Sequence, residues 1–123
     1  MNADELKMRT KKIGLDIIKI IDLLPQSQSG RVIANQLLRS GLSIGANYRA
    51  ACRARSKADF ISKIGITIEE ADETEHWLEI LVESGLLSSD KLTALLKESN
   101  ELVAILTASA KTARKNLNQE KSR

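Results

Sequence analysis

Apolar residues recur at spacings of three and four along nearly the whole chain, the period of helices that bury one face. The first run carries Leu6, Ile13, Ile17, Ile20, Ile21 and Leu24 on one side, and Pro25 with the polar QSQSG stops it. The second extends from about Gly30 to Arg53, with Ile33, Leu37, Ile44, Tyr48 and Ala51 inward. Ser56 opens the third. There SKAD, Ser56 to Asp59, resembles a capping box with Asp in place of Glu, directly before Phe60, Ile61, Ile64, Ile68 and Ala71. That helix continues through Leu78 and Val82 to a stop at Gly85. SSD, Ser88 to Asp90, starts the fourth, which presents Leu92, Leu95, Leu96, Leu102, Val103, Leu106, Ala113 and Leu117 before fraying into a basic tail from about residue 118. No stretch alternates as a strand would. Four helices with short connections predict an all-α, up-down-up-down four-helix bundle, one domain over residues 1–123.

Composition narrows the class. The rings are Tyr48, Phe60 and Trp77 alone, so the core must be built from Leu, Ile, Val and Ala. A single cysteine, Cys52, cannot form an intramolecular disulfide, and nothing points to an oxidising compartment. The N-terminal MNADELKMRTKK lacks an apolar signal segment, and no run reaches the ~18 apolar residues of a membrane span. The expected location is the cytoplasm, with no membrane partner.

Net charge is only +3, but the charge is segregated. Arg31 to Lys63 holds seven Lys or Arg against Asp59 alone; Ile64 to Asp90 holds eight acids and no Lys or Arg; Ala110 to Arg123 holds five basic residues and one acid. Such blocks suggest partners or self-association more than the net charge does.

At 100° per residue, Arg31 and Arg49 point the same way, and Arg39 and Arg53 lie within about 80° of them. The four form a stripe away from the core face. Arg is preferred where planar, bidentate contact with phosphate or carboxylate is needed, so the stripe suits a nucleic-acid contact face or an inter-subunit salt-bridge face. Lys57 and the tail residues Lys111, Arg114 and Lys115 would assist the first use. Gly41 and Gly45 lie on the flank between core and stripe. Each internal glycine costs about 1 kcal/mol of helix stability relative to Ala, and close approach of another helix, in the bundle or between subunits, is the usual compensation. Ser43 and Asn47, one turn apart at the edge of the core face, suggest a buried polar link to another helix.

Catalytic chemistry finds no foothold. Glu73-x-x-His76 matches half of a di-iron bundle motif, but the second half needs another histidine and the chain has one. There is no Ser–His–Asp spacing, Gly-rich phosphate loop or zinc-type Cys/His set. Cys52 fits a packing role better than a nucleophile. Neither an enzyme nor a cofactor or metal site is expected. With so few rings, any nucleic-acid binding would rest on phosphate contacts and be salt-dependent.

One segment resembles a known family. Ser43-Ile44 and Asn47, then Ser56 with Asp59-Phe60, then Glu70, Glu73 and Trp77-Leu78, together with Leu23 to Pro25 at the first-helix exit, are similar to the pattern of the 23S rRNA intervening-sequence proteins. The likeness covers roughly Ile17 to Leu87. It departs at Tyr48-Arg49-Ala50-Ala51, where many members read Ile-Ala-Glu-Gly, which makes this segment more basic. The resemblance implies a bacterial up-down bundle that assembles as a homopentamer. It also implies kinship to accessory proteins of diversity-generating retroelements, which bind nucleic acid and a reverse transcriptase; it supplies no catalytic residues. The resulting expectation is a non-enzymatic homo-oligomer that binds structured RNA or DNA through Arg31, Arg39, Arg49 and Arg53. The other is a purely structural or protein-interaction oligomer, in which the Arg stripe meets the acidic third helix of a neighbouring subunit. Gly41, Gly45, Ser43, Asn47, Glu70 and Glu73 are the candidate interface residues.

Overall fold

The computed structural model describes residues 1–88 and 90–122. It contains α1 (Ala3–Ile21), α2 (Gln28–Cys52), α3 (Lys57–Ser84) and α4 (Asp90–Lys121), packed in the order α1–α2–α3–α4 as an antiparallel bundle. The all-α four-helix architecture expected from the apolar spacing is the one observed.

Each boundary has a local cause. Asn2 caps α1 by accepting from the Glu5 N–H at 2.9 Å. α1 ends at Ile21, ahead of Pro25, and α2 begins at Gln28, two residues earlier than the spacing indicated, because Ser27 accepts from the Gly30 N–H at 3.1 Å. A Cβ at Gly30 would overlap the Pro25 carbonyl, so the turn can fold back this tightly only over glycine. Ser56 caps α3 through the Asp59 N–H at 3.0 Å. Asp59 does not close the box onto Ser56; its carboxylate accepts from the Arg55 N–H at 3.4 Å and from Lys63 Nζ at 2.9 Å. Lys63 is the main reason that the Asp59 carboxyl is held below its ordinary value. Gly85, left-handed at φ 72°, ends α3. The SSD start of α4 includes Ser89, which lies outside the described residues, as does Arg123. The tail does not fray from residue 118 in this structure: α4 stays helical to Lys121, and Glu120 is ion-paired with Lys57.

The core follows a heptad rhythm that apolar spacing alone obscures. Buried positions step by three and four through Leu6, Thr10, Ile13, Ile17 and Ile20 in α1, and through Ile64, Thr67, Ala71, Thr74, Leu78 and Leu81 in α3. Hydroxyl residues fill core slots in every helix: Thr10, Ser40, Thr67, Thr74 and Ser99 are all buried. Each donates to a carbonyl three or four residues back in its own helix, for example Thr10 to Leu6 at 2.8 Å and Thr67 to Lys63 at 3.0 Å, so none carries an unmet donor into the core. Because Thr74 and Leu81 hold core slots, Val82, expected inward, is exposed. On α4 the inward position is Ala110, with Ala113 only half-buried.

Gly41 and Gly45 serve packing within the bundle, against α1. A Cβ at Gly41 would overlap Ile17 Cδ1, and one at Gly45 would stand 3.1 Å from the Thr10 carbonyl. Gly14 reciprocates from α1, where a Cβ would lie 3.3 Å from the Gly41 carbonyl. By contrast, α1 and α4 touch least of the neighbouring pairs. Arg9 spans their seam to Glu98 and to Glu101, the latter at 2.9 Å, and a groove of about 520 Å³ opens beside Ile13, Ile20 and Leu95.

Two glycine substitutions should act in opposite directions. Gly65 in α3 has nothing within 4 Å of where a Cβ would stand, so Gly65→Ala should stabilise by about 1 kcal/mol through helix propensity. Gly41→Val should destabilise by about 1–3 kcal/mol through overpacking against Ile17. Urea denaturation measures both; equal signs would contradict the α1–α2 packing described.

Candidate nucleic-acid interface

The arginines projected as one stripe divide among three environments. Arg31 sits in the first turn of α2 and donates from Nη1 to the Gln26 carbonyl at 2.7 Å, bracing the turn that precedes it. Arg39 faces α3 of its own chain, ion-paired with Glu73 and 3.6 Å from Glu70. Glu70 and Glu73, candidates for a partner's arginines, thus already meet an arginine inside the bundle. Glu73 is the better partner. Glu70 Oε2 is buried with no hydrogen bond, so its charge is met by Arg39 at ion-pair range only. Arg49 and Arg53 lie on the other side of α2, facing α1.

Ser43 and Asn47 do not link helices. Ser43 donates to the Arg39 carbonyl at 2.6 Å and Asn47 to the Ser43 carbonyl at 2.8 Å, both within α2. The cross-helix polar link is one position deeper, where the buried Ser40 and Thr74 hydroxyls are hydrogen-bonded at 3.0 Å. In the Glu73-x-x-His76 pair, Glu73 also accepts from Trp77 Nε1 at 3.4 Å and His76 sits edge-on to Trp77 at 5.1 Å. Among the described residues no cluster of His, Cys, Asp or Glu could hold a metal ion. Cys52 is half-buried beside Tyr48, whose hydroxyl is pushed up mainly by burial and then by that thiol.

The site that emerges is a groove of about 630 Å³ between α1 and α2. Its floor is made of small residues, Thr10, Gly14, Gly45 and Ala46, because glycines draw the two backbones together here, and Leu42 packs over the Gly14 end. Lys7 and Lys11 rise from α1 on one side, Arg49 and Arg53 from α2 on the other. All four are exposed, none has a partner among the described residues, and no acid lines the groove. Lys7 and Lys11 went unrecognised in the sequence because they belong to a different helix from the arginine stripe. The signal available was their one-turn spacing beside Gly14, a small residue matching Gly41 and Gly45.

Beside the cations the same face is apolar, with Met8, Leu15 and Leu42 lining the groove and Ile18 one turn beyond Gly14, all at least 40% exposed. Antiparallel topology adds further cations at the end holding Arg53: Arg55 in the α2–α3 turn, Lys57 at the start of α3, and Lys111, Arg114 and Lys115 on the outer side of α4. Of these, Lys57 is paired with Glu120. The outer face of α3 is acidic instead, with Glu69, Asp72, Glu79 and Glu83 exposed beside Ile66 and Val82. No helix among the described residues is long and apolar enough to cross a membrane.

A family model described as 23S rRNA-intervening sequence protein matches residues 5–108. A crystal structure of a protein of unknown function from the S23 ribosomal protein family of Bacteroides thetaiotaomicron VPI-5482 is 35% identical. It superposes with a TM-score of 0.81 over 90% of this chain and 99% of the other. No curated protein matches.

The Arg39–Glu73 pair gives a test by pH. The hydrogen bond from Arg39 is the main reason that the Glu73 carboxyl is held below its ordinary 4.5. A depressed folded value means that this pair's stabilisation is present above about pH 4.5 and is lost as pH falls through the lower, folded value. Trp77 is the sole tryptophan and contacts Glu73, so its emission should titrate with a midpoint below 4.5 that is absent from Glu73→Gln. The stability gap between the two proteins should close over the same range. An unchanged midpoint in Glu73→Gln would assign the transition to another group.

Proposed function

The chain belongs to the 23S rRNA-intervening sequence protein family, and from that premise we propose that it is a non-enzymatic, homo-oligomeric bundle that binds RNA or DNA. One observation carries the reading: Lys7, Lys11, Arg49 and Arg53 converge on a small-residue groove, with no partner for any of them among the described residues and no acid among the residues that line it. Like charges gathered without counter-charges repel one another, and an external polyanion removes that repulsion. Phosphate contact is the chemistry that Arg and Lys together perform best. Arg55, Lys111, Arg114 and Lys115 extend the positive field around the same end of the bundle, while Lys57 is neutralised there by Glu120. Arg31 and Arg39 are committed within the chain and contribute mainly to the fold.

The apolar half of the α1–α2 face supports self-association. Exposed Leu15, Ile18 and Leu42 form a patch of the kind that marks protein–protein contact. The family resemblance implies that the assembly is a pentamer. The second reading, a structural oligomer alone, draws on the complementary outer face of α3, where Ile66 and Val82 stand among exposed acids. A neighbour's α3 would then occupy the groove, carboxylates on Arg49 and Arg53.

Filter binding of a structured rRNA stem fragment separates the two. In the first reading, affinity measured at about 50 mM salt falls steeply by about 200 mM. Arg49→Ala with Arg53→Ala weakens it about tenfold or more while light scattering reports an unchanged mass. No binding at low salt, together with dissociation of the assembly by Arg49→Glu, would establish the second reading in its place.

A further inference from the structure

We infer that the α1–α2 groove takes one sugar-phosphate strand of a double helix, lengthwise and without reading bases. This rests on the nucleic-acid reading above and adds the form of the ligand, its register and its indifference to sequence.

The register follows from the glycine contacts. Gly45 lies against Thr10 and Lys11, and Gly14 against Gly41 and Leu42, so with antiparallel helices Lys11 stands level with Gly45 and Lys7 level with Arg49. Arg53 is one turn further along. The cations therefore occupy three successive levels, spanning eight residues of α2 or about 12 Å at 1.5 Å per residue. One strand of a duplex advances about 3.4 Å along the helix axis per phosphate, so this track spans about four phosphates for four cations. Two helices packed about 8–10 Å apart leave a trough far narrower than a duplex, one that can seat a single backbone ridge. The floor at Gly45 and Ala46, between the cations, carries only small side chains, and Leu42 closes it off at Gly14.

Base reading is excluded by how the helices and rings are placed. Reading a major groove requires a helix that can enter it, and α2 is flanked by α1 and α3 along its length. The far end of α4 is held down as well, through Glu120 on Lys57. Single-strand recognition relies on rings that stack with splayed bases. Tyr48 is buried, Trp77 is engaged with Glu73 on α3, and Phe60 is half-buried against the core; none lines the groove. What remains exposed to a ligand is cationic and aliphatic. That set fits a regular phosphate backbone whose bases are already paired and stacked inside.

Fluorescence anisotropy tests this with the full chain and four 24-nucleotide-scale probes: an RNA duplex, a DNA duplex, an RNA duplex of shuffled sequence, and unstructured oligo-U. Duplexes should bind at least tenfold more tightly than oligo-U at about 100 mM salt, and the shuffled duplex within twofold of the original. The RNA and DNA arms show whether the 2′-hydroxyl matters. Lys7→Ala with Lys11→Ala should lower the salt slope on duplex by about two, as should Arg49→Ala with Arg53→Ala. Circular dichroism checks that these surface variants fold. Oligo-U binding as tight as duplex, or a sequence preference above tenfold, would overturn this inference while leaving nucleic-acid binding intact. Failure of every probe at low salt would overturn both. An unchanged slope in the Lys7 and Lys11 variant would move the site elsewhere on the basic end.

Discussion

The contact between α1 and α2 is the constraint from which most of the molecule's surface follows. Gly14, Gly41 and Gly45 remove the side chains that would hold these helices apart, and Ile17 fills the space over Gly41. Close packing recovers, through dispersion and apolar burial, the helix propensity that glycine forfeits. It also determines what is seen from outside: a trough floored by small residues, whose walls are the next residues along each helix. The same substitutions that let the core close thus build the candidate site. Stability and surface chemistry are one feature here.

Electrostatics then separates the cations into two populations. Arg9, Arg39, Lys12, Lys57 and Lys63 are ion-paired within the chain, and Arg31 is tied to a carbonyl. Exposed pairs of this kind contribute little stability each, but they fix which charges a partner can reach. Lys7, Lys11, Arg49 and Arg53 stand outside these pairs and are gathered at one place, with Arg55, Lys111, Arg114 and Lys115 also outside them at the same end of the bundle. A field of this kind acts at a distance set by the ionic strength, so it favours encounter with polyanions before any contact forms.

Much of this was legible in the chain. Helix number and order, the stop at Gly85, the Ser56 cap and the inward positions of α2 follow from spacing and capping chemistry. Thr67 and Thr74 were harder to read: a hydroxyl that bonds back to its own helix enters a core at little cost, yet it breaks the apolar period that reveals the core, and so Val82 looked inward. The arginine stripe was read by projecting α2 alone. A projection assigns angles but not neighbours, and Arg39 and Arg49 differ by 80° in angle yet face different helices. Asn47 drew attention as the polar residue needing a partner, while Ser40, small and plain in the sequence, makes the link to α3. Lys7 and Lys11 become meaningful only once Gly14 and Gly45 set the register of α1 on α2.

The seam between α1 and α4 has a kinetic meaning. These helices lie at opposite ends of the chain, so their contact closes the longest loop in the fold, and Arg9 reaches 89 residues ahead to Glu98. Neighbouring hairpins α2–α3 and α3–α4 close over far shorter separations and share larger contacts. Loop-closure cost alone would make this seam the zip of the cylinder, the last to seal during folding and the first to part when the native state fluctuates. Arg9 is its clasp, and the groove beside Ile13 and Leu95, rimmed by Lys12, Asp16 and Lys19, is the opening that the clasp leaves unsealed.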